Sequence, residues 1–133
     1  MYDLGIDYRM ARHTGIGTYL RGLVSNLRQE MPICLFHAHD KDESHFSHER
    51  FDSPIYSLSE QWAYRAHLSK CRVWHAPHFN IPYSKGNTRL IVTIHDLIPW
   101  LYKERFSPLK AWYARVFFKR VAETADPIIA VSD

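Results

Sequence analysis

Residues 4–36 read LGIDYRMARHTGIGTYLRGLVSNLRQEMPICLF, and this stretch decides the fold. Leu4-Gly5-Ile6-Asp7-Tyr8 alternates apolar and polar and runs into a loop ending in Gly15-Ile16-Gly17, the pattern of a strand entering a turn. Tyr19, Leu20, Leu23, Val24 and Leu27 then share one helical face, with Arg21, Ser25, Asn26, Arg28 and Gln29 on the other. Pro32 closes that helix, and Ile33-Cys34-Leu35-Phe36 is a continuous apolar run suited to a strand buried on both sides. Strand, helix and buried strand in that order form the unit of a parallel sheet.

The same alternation continues downstream. Residues 38 to 54 are polar, rich in His, Asp and Ser and without periodicity, so they read as a long exposed loop. Ser57 and Glu60 form a capping box for a helix through about Lys70, with Leu58, Trp62 and Ala66 on its buried stripe. Arg72-Val73-Trp74-His75 is a short strand, Pro77 to Asn87 a loop, and Leu90-Ile91-Val92-Thr93-Ile94 a strand with four β-branched residues. Ser107-Pro108 supplies an N-cap and a first-turn proline for a helix that buries Leu109, Trp112, Val116, Phe117 and Val121. Asp126-Pro127 stops it, and Ile128-Ile129-Ala130-Val131 reads as a last buried strand. The expected fold is α/β: a Rossmann-like, doubly wound parallel sheet with helices on both faces, in a single domain spanning 1–133.

Composition bounds the function. The chain has 133 residues, 46% hydrophobic and 23% charged, which excludes disordered and low-complexity classes. No apolar run approaches the roughly 20 residues that cross a bilayer, and no basic flank precedes an apolar stretch at the start. The expectation is a cytoplasmic protein. Cys34 and Cys71 make neither a disulfide framework nor a metal spacing and are expected to pack as small hydrophobes. A net charge of +3 is too small to argue for nucleic acid as a partner. Between Trp100 and Arg120, however, six Lys or Arg face one acid, a local +5 mixed with Trp100, Tyr102, Phe106, Tyr113 and Phe118. That mixture suits peripheral contact with an anionic membrane at its inner face, although a solvated outer helix face has the same composition.

In a parallel sheet, ligands collect at the carboxyl ends of the strands. Four tips stand there: Gly15-Ile16-Gly17, His75-Ala76-Pro77-His78, Thr93-Ile94-His95-Asp96 and Val131-Ser132-Asp133. Gly15 and Gly17 precede a helix, where bare backbone and the positive helix end favour an anion, or where the glycines serve only a tight turn. His95 and Asp96 present an imidazole and a carboxylate together, for proton handling or for holding a hydroxyl. Alternatively His95 bonds the backbone of a neighbouring loop while Asp96 caps a turn. His37, His39, Asp40, His45 and His48 invite a metal reading, but Lys41 and Asp42 stand where a His-x-His-x-Asp-His pattern needs Asp and His, so a solvated loop fits better.

Taken together, the motifs resemble the N-terminal domain of a GT-B glycosyltransferase of the retaining family 4. The carrying stretches are Ile6-Asp7-Tyr8-Arg9 with Gly15-Ile16-Gly17-Thr18-Tyr19, then residues 75–82 (His75-Ala76-Pro77-His78-Phe79-Asn80-Ile81-Pro82), then Val92 to Pro99 around His95-Asp96-Leu97-Ile98, and finally Ile129-Ala130-Val131-Ser132. The resemblance implies that the chain is the acceptor-side half of a two-domain enzyme. That enzyme transfers a hexosyl residue from a nucleotide-sugar donor to a glycan or lipid-linked acceptor with retention of configuration. It implies that the backbone at Gly15, Ile16 and Gly17 approaches the donor diphosphate. By the same resemblance His95 and Asp96 are catalytic, His75, His78 and Asn80 lie on the acceptor side, and no metal or other cofactor is needed. The family's C-terminal nucleotide-sugar domain has no counterpart here. The isolated chain is therefore expected to be inactive, and truncation favours self-association. A non-catalytic remnant or binding module and a His-rich metal protein are the alternatives.

Overall fold

The computed structural model describes residues 1–38 and 44–131. Among them, strands β1 (Tyr2–Asp7), β2 (Ile33–His37), β3 (Ser47–Arg50), β4 (Cys71–Ala76), β5 (Arg89–Ile94) and β6 (Ile128–Ala130) form one sheet in the order β3-β2-β1-β4-β5-β6. Every neighbouring pair is parallel. Helices α1 (Gly15–Asn26), α2 (Leu58–Leu68), the short α3 (Ile98–Leu101) and α4 (Pro108–Thr124) connect them, with a 3₁₀ turn at Lys103–Arg105. The expected α/β, Rossmann-like sheet is present. Its strand order runs outward in opposite directions from β1 and β4, which opens a crevice at their carboxyl ends. No helix among the described residues is long and apolar enough to cross a membrane.

The two-residue period of the strands divides the core. On β2, Ile33 and Leu35 pack with Leu20 and Val24 of α1, while Cys34 and Phe36 face the other way, into a larger cluster with Tyr64 and Leu68 of α2 and Phe117 and Val121 of α4. Both cysteines are buried, and burial raises both thiol pKa values, to about 12 for Cys34 and about 11 for Cys71. They pack as small hydrophobes. Gly5 is required beneath them, because a Cβ there would meet Cys71 Sγ at 2.5 Å.

Four expectations need correction. Residues 47–50, assigned to a loop, form β3, which pairs Cys34 with Ser47 and Phe36 with Glu49. Its polar side chains are those of a protected sheet edge, which carries no apolar signal. Helix α2 buries Glu60, Tyr64 and Leu68 instead of Leu58, Trp62 and Ala66; Leu58 is 80% and Trp62 78% exposed. The period is right and the phase is reversed, since two residues turn a helix by about 200°. Helix α4 buries Ala111, Ala114, Phe117, Phe118 and Val121, leaving Leu109 and Trp112 in solvent. Two of the inward positions are taken by small alanines. Strand β6 is exposed along its length because it is the outer strand.

The reversed phase of α2 has a cause. Arg9, at the end of β1, is 4% exposed, and its guanidinium donates to Asp7 Oδ1 and Oδ2 at 2.8 and 2.6 Å and to Glu60 Oε1 at 2.7 Å. It also donates to the Tyr64 hydroxyl and to the Ser53 carbonyl, each at 3.0 Å, and lies 3.7 Å from the centre of the Phe51 ring. Glu60 in turn accepts from Asn80 Nδ2 at 2.9 and 3.0 Å and from the Tyr56 N–H at 2.9 Å. Tyr113 of α4 donates to Asn80 Oδ1 at 2.7 Å. Burial by itself opposes the charge on Arg9, but the adjacent Asp7 carboxylate overrides it and raises the guanidinium pKa. The capping box consequently forms by half. Ser57 Oγ accepts from the Glu60 N–H at 3.1 Å, while the Glu60 carboxylate accepts from Arg9, Asn80 and the Tyr56 N–H, and the Ser57 N–H donates instead to the Pro54 carbonyl.

Removing one partner from such a buried set strands the others without water. Arg9→Ala is expected to cost about 3–5 kcal/mol of folding stability, whereas Leu58→Ser and Trp62→Ser, on the exposed face, should each cost less than about 0.5 kcal/mol. Urea unfolding of the three variants measures both sides of this contrast; a large loss at Leu58 or Trp62 would contradict the observed helix phase.

Candidate functional site

At the carboxyl edge of the sheet, beside the strand-order reversal, lies a cavity of about 310 Å³. Its walls come from three segments far apart in sequence. The loop before α1 and its first residues give His13, Thr14, Gly15 and Ile16; the segment after β4 gives His78 and Phe79; the end of β5 and the residues after it give Ile94, His95, Asp96 and Pro99. The volume falls at the lower end of the range for small-molecule sites.

The α1 end is an electropositive wall. Thr14, the N-cap, makes no side-chain cap bond, and the first turn contains no acid, so the amino end of a 12-residue helix keeps its partial positive charge. The two glycines do different work. A Cβ on Gly15 would meet nothing within 4 Å, which leaves this backbone open, whereas a Cβ on Gly17 would come 2.5 Å from the Ala11 carbonyl oxygen. Gly17 thus permits the close packing of α1 on the loop after β1, a contact that Arg21 reinforces by donating to the same carbonyl.

His95 is half-buried, and its Nε2 donates to the Pro77 carbonyl at 2.9 Å. A carbonyl only accepts, so in the neutral ring the proton resides on Nε2 and the free lone pair on Nδ1. Asp96 is exposed; its Oδ1 accepts from the Ile98 N–H at 2.9 Å and caps α3. Both alternatives weighed from the sequence, a backbone-bonded histidine and a turn-capping aspartate, are therefore present. They leave Nδ1 of His95 and the second oxygen of Asp96 for chemistry. Tyr19 of α1 sets its ring edge-on to His95, with centroids 5.0 Å apart.

The acceptor-side expectation separates into three outcomes. His78 lines the cavity. Asn80 does not: its amide is taken up by Glu60 and Tyr113 inside the protein, a bonding demand that places it in the core. His75 is buried on β4, behind the cavity, where Nε2 lies 2.8 Å from Thr93 Oγ1 and 3.4 Å from the Tyr19 hydroxyl, itself 2.9 Å from Thr93. Burial, and then the nearby His95, lower the His78 pKa to about 4; burial also lowers His75 to about 4, against an opposing pull from Asp7. Both rings are neutral at pH 7, so they act as hydrogen-bonding groups and not as cations.

His13 and Thr14 escaped the sequence reading, and Tyr19, Phe79 and Pro99 entered it only within the stretches that carry the resemblance, without a role in the site. Of the metal candidates, His39, Asp40, Lys41 and Asp42 lie outside the described residues, as do Ser132 and Asp133 of the last strand tip. His37 and His48 pack edge-to-face, and Ser44 Oγ lies 2.9 Å from His48 Nε2. Among the described residues, no group of three His, Cys, Asp or Glu side chains is placed to hold one ion. Comparisons with protein-family models, with curated proteins and with solved structures each return no match.

The depressed His75 pKa has a measurable sign. Between pH 6.5 and about 4 the unfolded chain takes up a proton that the folded chain refuses, so stability falls as the pH drops through that window. From pH 7 to pH 5, His75 should account for a loss of about 2 kcal/mol. His78, lowered to the same value, contributes a like share, so His75→Gln is expected to reduce the fall in urea midpoint over that interval without abolishing it; an unchanged fall would assign it to other groups.

Proposed function

We propose that this chain forms the acceptor-side half of a retaining GT-B glycosyltransferase and that its cavity receives the diphosphate and transferred sugar of a nucleotide-sugar donor. The observation that carries this reading is the meeting, in one cavity, of the uncapped amino end of α1 with the His95-Asp96 tip of β5. The N–H groups at Thr14 to Gly17 offset the diphosphate charge, which grows as the sugar–phosphate bond breaks. Unsubstituted backbone at Gly15 allows that approach. His95, with its proton held on Nε2 by Pro77, offers Nδ1 to a sugar hydroxyl, and Phe79 and Ile94 give the cavity an apolar side for a pyranose face. Base and ribose pockets, together with most of the cationic contacts to phosphate, belong in this reading to a second domain.

One observation favours a second reading, a binding module without turnover. His95 and Asp96 already have complete local duties, at the Pro77 carbonyl and the Ile98 N–H, and those duties alone would account for both residues.

The two readings share the ligand and differ in the chemistry. Titration with UDP or GDP should move the amide resonances of Thr14 to Gly17 and the ring signals of His95 while leaving β3 unchanged, and the affinity of the isolated chain should be weaker than about 1 µM, or roughly 8 kcal/mol. Gly15→Ala should weaken that binding with no loss of stability, because the added methyl group meets only the cavity. Shifts spread evenly over the surface would remove the donor site from both readings. In an assembled two-domain enzyme, His95→Ala should lower kcat more than it raises KM; equal kcat would leave the binding module.

A further inference from the structure

The exposed side of α4 mixes large apolar side chains with Lys110, Arg115 and Lys119. Leu109 is 74% and Trp112 62% exposed, and α3 beside them adds Leu101 at 62% and Trp100 at 43%. The two helices enclose a shallow groove of about 440 Å³ floored by Trp100, Trp112 and Val116 and flanked by Lys103, Arg115 and Lys119. Arg115 stacks its guanidinium 5.5 Å from the Trp100 ring centre. The residues 100–120 carry +5 while the chain as a whole carries +3, which leaves −2 for everything else. This basic segment also holds two of the chain's exposed tryptophans, Trp100 and Trp112.

We propose that this α3–α4 face docks on an anionic lipid membrane, with Trp112, Leu109 and Leu101 entering the headgroup boundary and Lys103, Lys110, Arg115 and Lys119 meeting lipid phosphates. Charge selects the occupant. A second copy of the chain, related by a two-fold axis, would bring the exposed Lys103, Lys110, Arg115 and Lys119 of one copy against those of the other. A sheet of acidic headgroups is complementary over the whole face, and indole rings ringed by Lys and Arg are the composition of interfacial helices. Long basic side chains also reach phosphate while their stems lie along apolar surface. The face is separate from the cavity, and its docking does not depend on the transferase reading. The two nevertheless share α3, on which Pro99 lines the cavity and Trp100 the groove. A docked molecule would thus hold its cavity mouth beside the bilayer.

Co-sedimentation of the full chain with vesicles tests the proposal. Recovery is expected with phosphatidylcholine vesicles containing roughly 30 mol% phosphatidylglycerol, little with phosphatidylcholine alone, and a steep fall as NaCl rises from about 0.05 to 0.5 M. Lys103→Gln/Arg115→Gln/Lys119→Gln should lower partitioning about a hundredfold, and Trp112→Ala should lower it at least tenfold. Trp62→Ser, at a still more exposed position on α2, should leave it unchanged, which separates this face from general hydrophobic adhesion. All three variants alter exposed side chains, and their urea midpoints should match that of the parent. Equal recovery with neutral and anionic vesicles, or no recovery at low salt, would overturn the proposal. So would a concentration-dependent dimer in sedimentation velocity that Trp112→Ala abolishes, because the face would then belong to a second copy.

Discussion

Arg9 stands between the carboxylates of Asp7 and Glu60 with almost no access to water, and the geometry of the candidate site depends on that arrangement. Two buried acids and one buried base leave a formal −1 inside the protein, so each remaining oxygen must find a donor. Tyr64, Asn80 and the Tyr56 N–H supply them. An apolar trio of equal volume would give comparable or better stability. It would not, however, fix the rotation of α2 about its own axis or the path of the segment after β4. Asn80 ties that segment to Glu60 and, through Tyr113, to α4. His78 and Phe79, two and one residues before Asn80, reach the cavity because the chain behind them is fastened. Tyr56 adopts a left-handed backbone (φ 70°) in the same region, and its hydroxyl lies 3.4 Å from His78 Nδ1. A backbone form costly for an aromatic residue is held there by the Glu60 carboxylate on its N–H.

The same network explains where sequence reading succeeded and failed. Buried strands announce themselves: Ile33 to Phe36 and Leu90 to Ile94 are apolar because both faces are covered, and their order alone implied a parallel sheet. Helix existence was equally legible from Ser57, Ser107 and Pro108 at the helix starts. Helix phase was not. On α2 an amphipathic reading assigns the inside to Leu58 and Trp62, yet the buried stripe contains a carboxylate whose value comes from Arg9, 51 residues earlier. Hydrophobicity cannot register a charge that is buried because it is paired. On α4 the inward positions include Ala111 and Ala114, which carry a weaker apolar signal than the exposed Leu109 and Trp112. Strand β3 had no signal because a polar edge strand and a polar loop share a composition.

The site was legible in outline. Topology places strand ends together, so locating β1, β4 and β5 was enough to bring Gly15, His78 and His95 to one edge. Which residues after each strand turn outward depends on contacts that no local pattern encodes. His75 and Asn80 looked like His78 in sequence and are consumed inside, one by Thr93 and the other by Glu60. Conversely, Tyr19 read as one apolar position of α1, but its hydroxyl reaches Thr93 on β5 and its ring flanks His95.

The residues after β5 carry a different constraint, because one short helix borders two surfaces. Asp96 caps α3 through the Ile98 N–H, and the next two residues, Pro99 and Trp100, belong to the cavity and to the basic groove respectively. Four residues of helix have too few internal hydrogen bonds to be stable alone, and α3 buries none of its side chains. Its position is set by the Asp96 cap and by packing on α4, where Trp100 meets Phe118 edge-on and Arg115 by its guanidinium. A ligand that draws Asp96 away from Ile98 would loosen the cap, and a surface that takes up Trp100 would loosen the packing. The Asp96 bond and the Trp100 packing are thus two separate supports of one short helix, each on the side of a different surface.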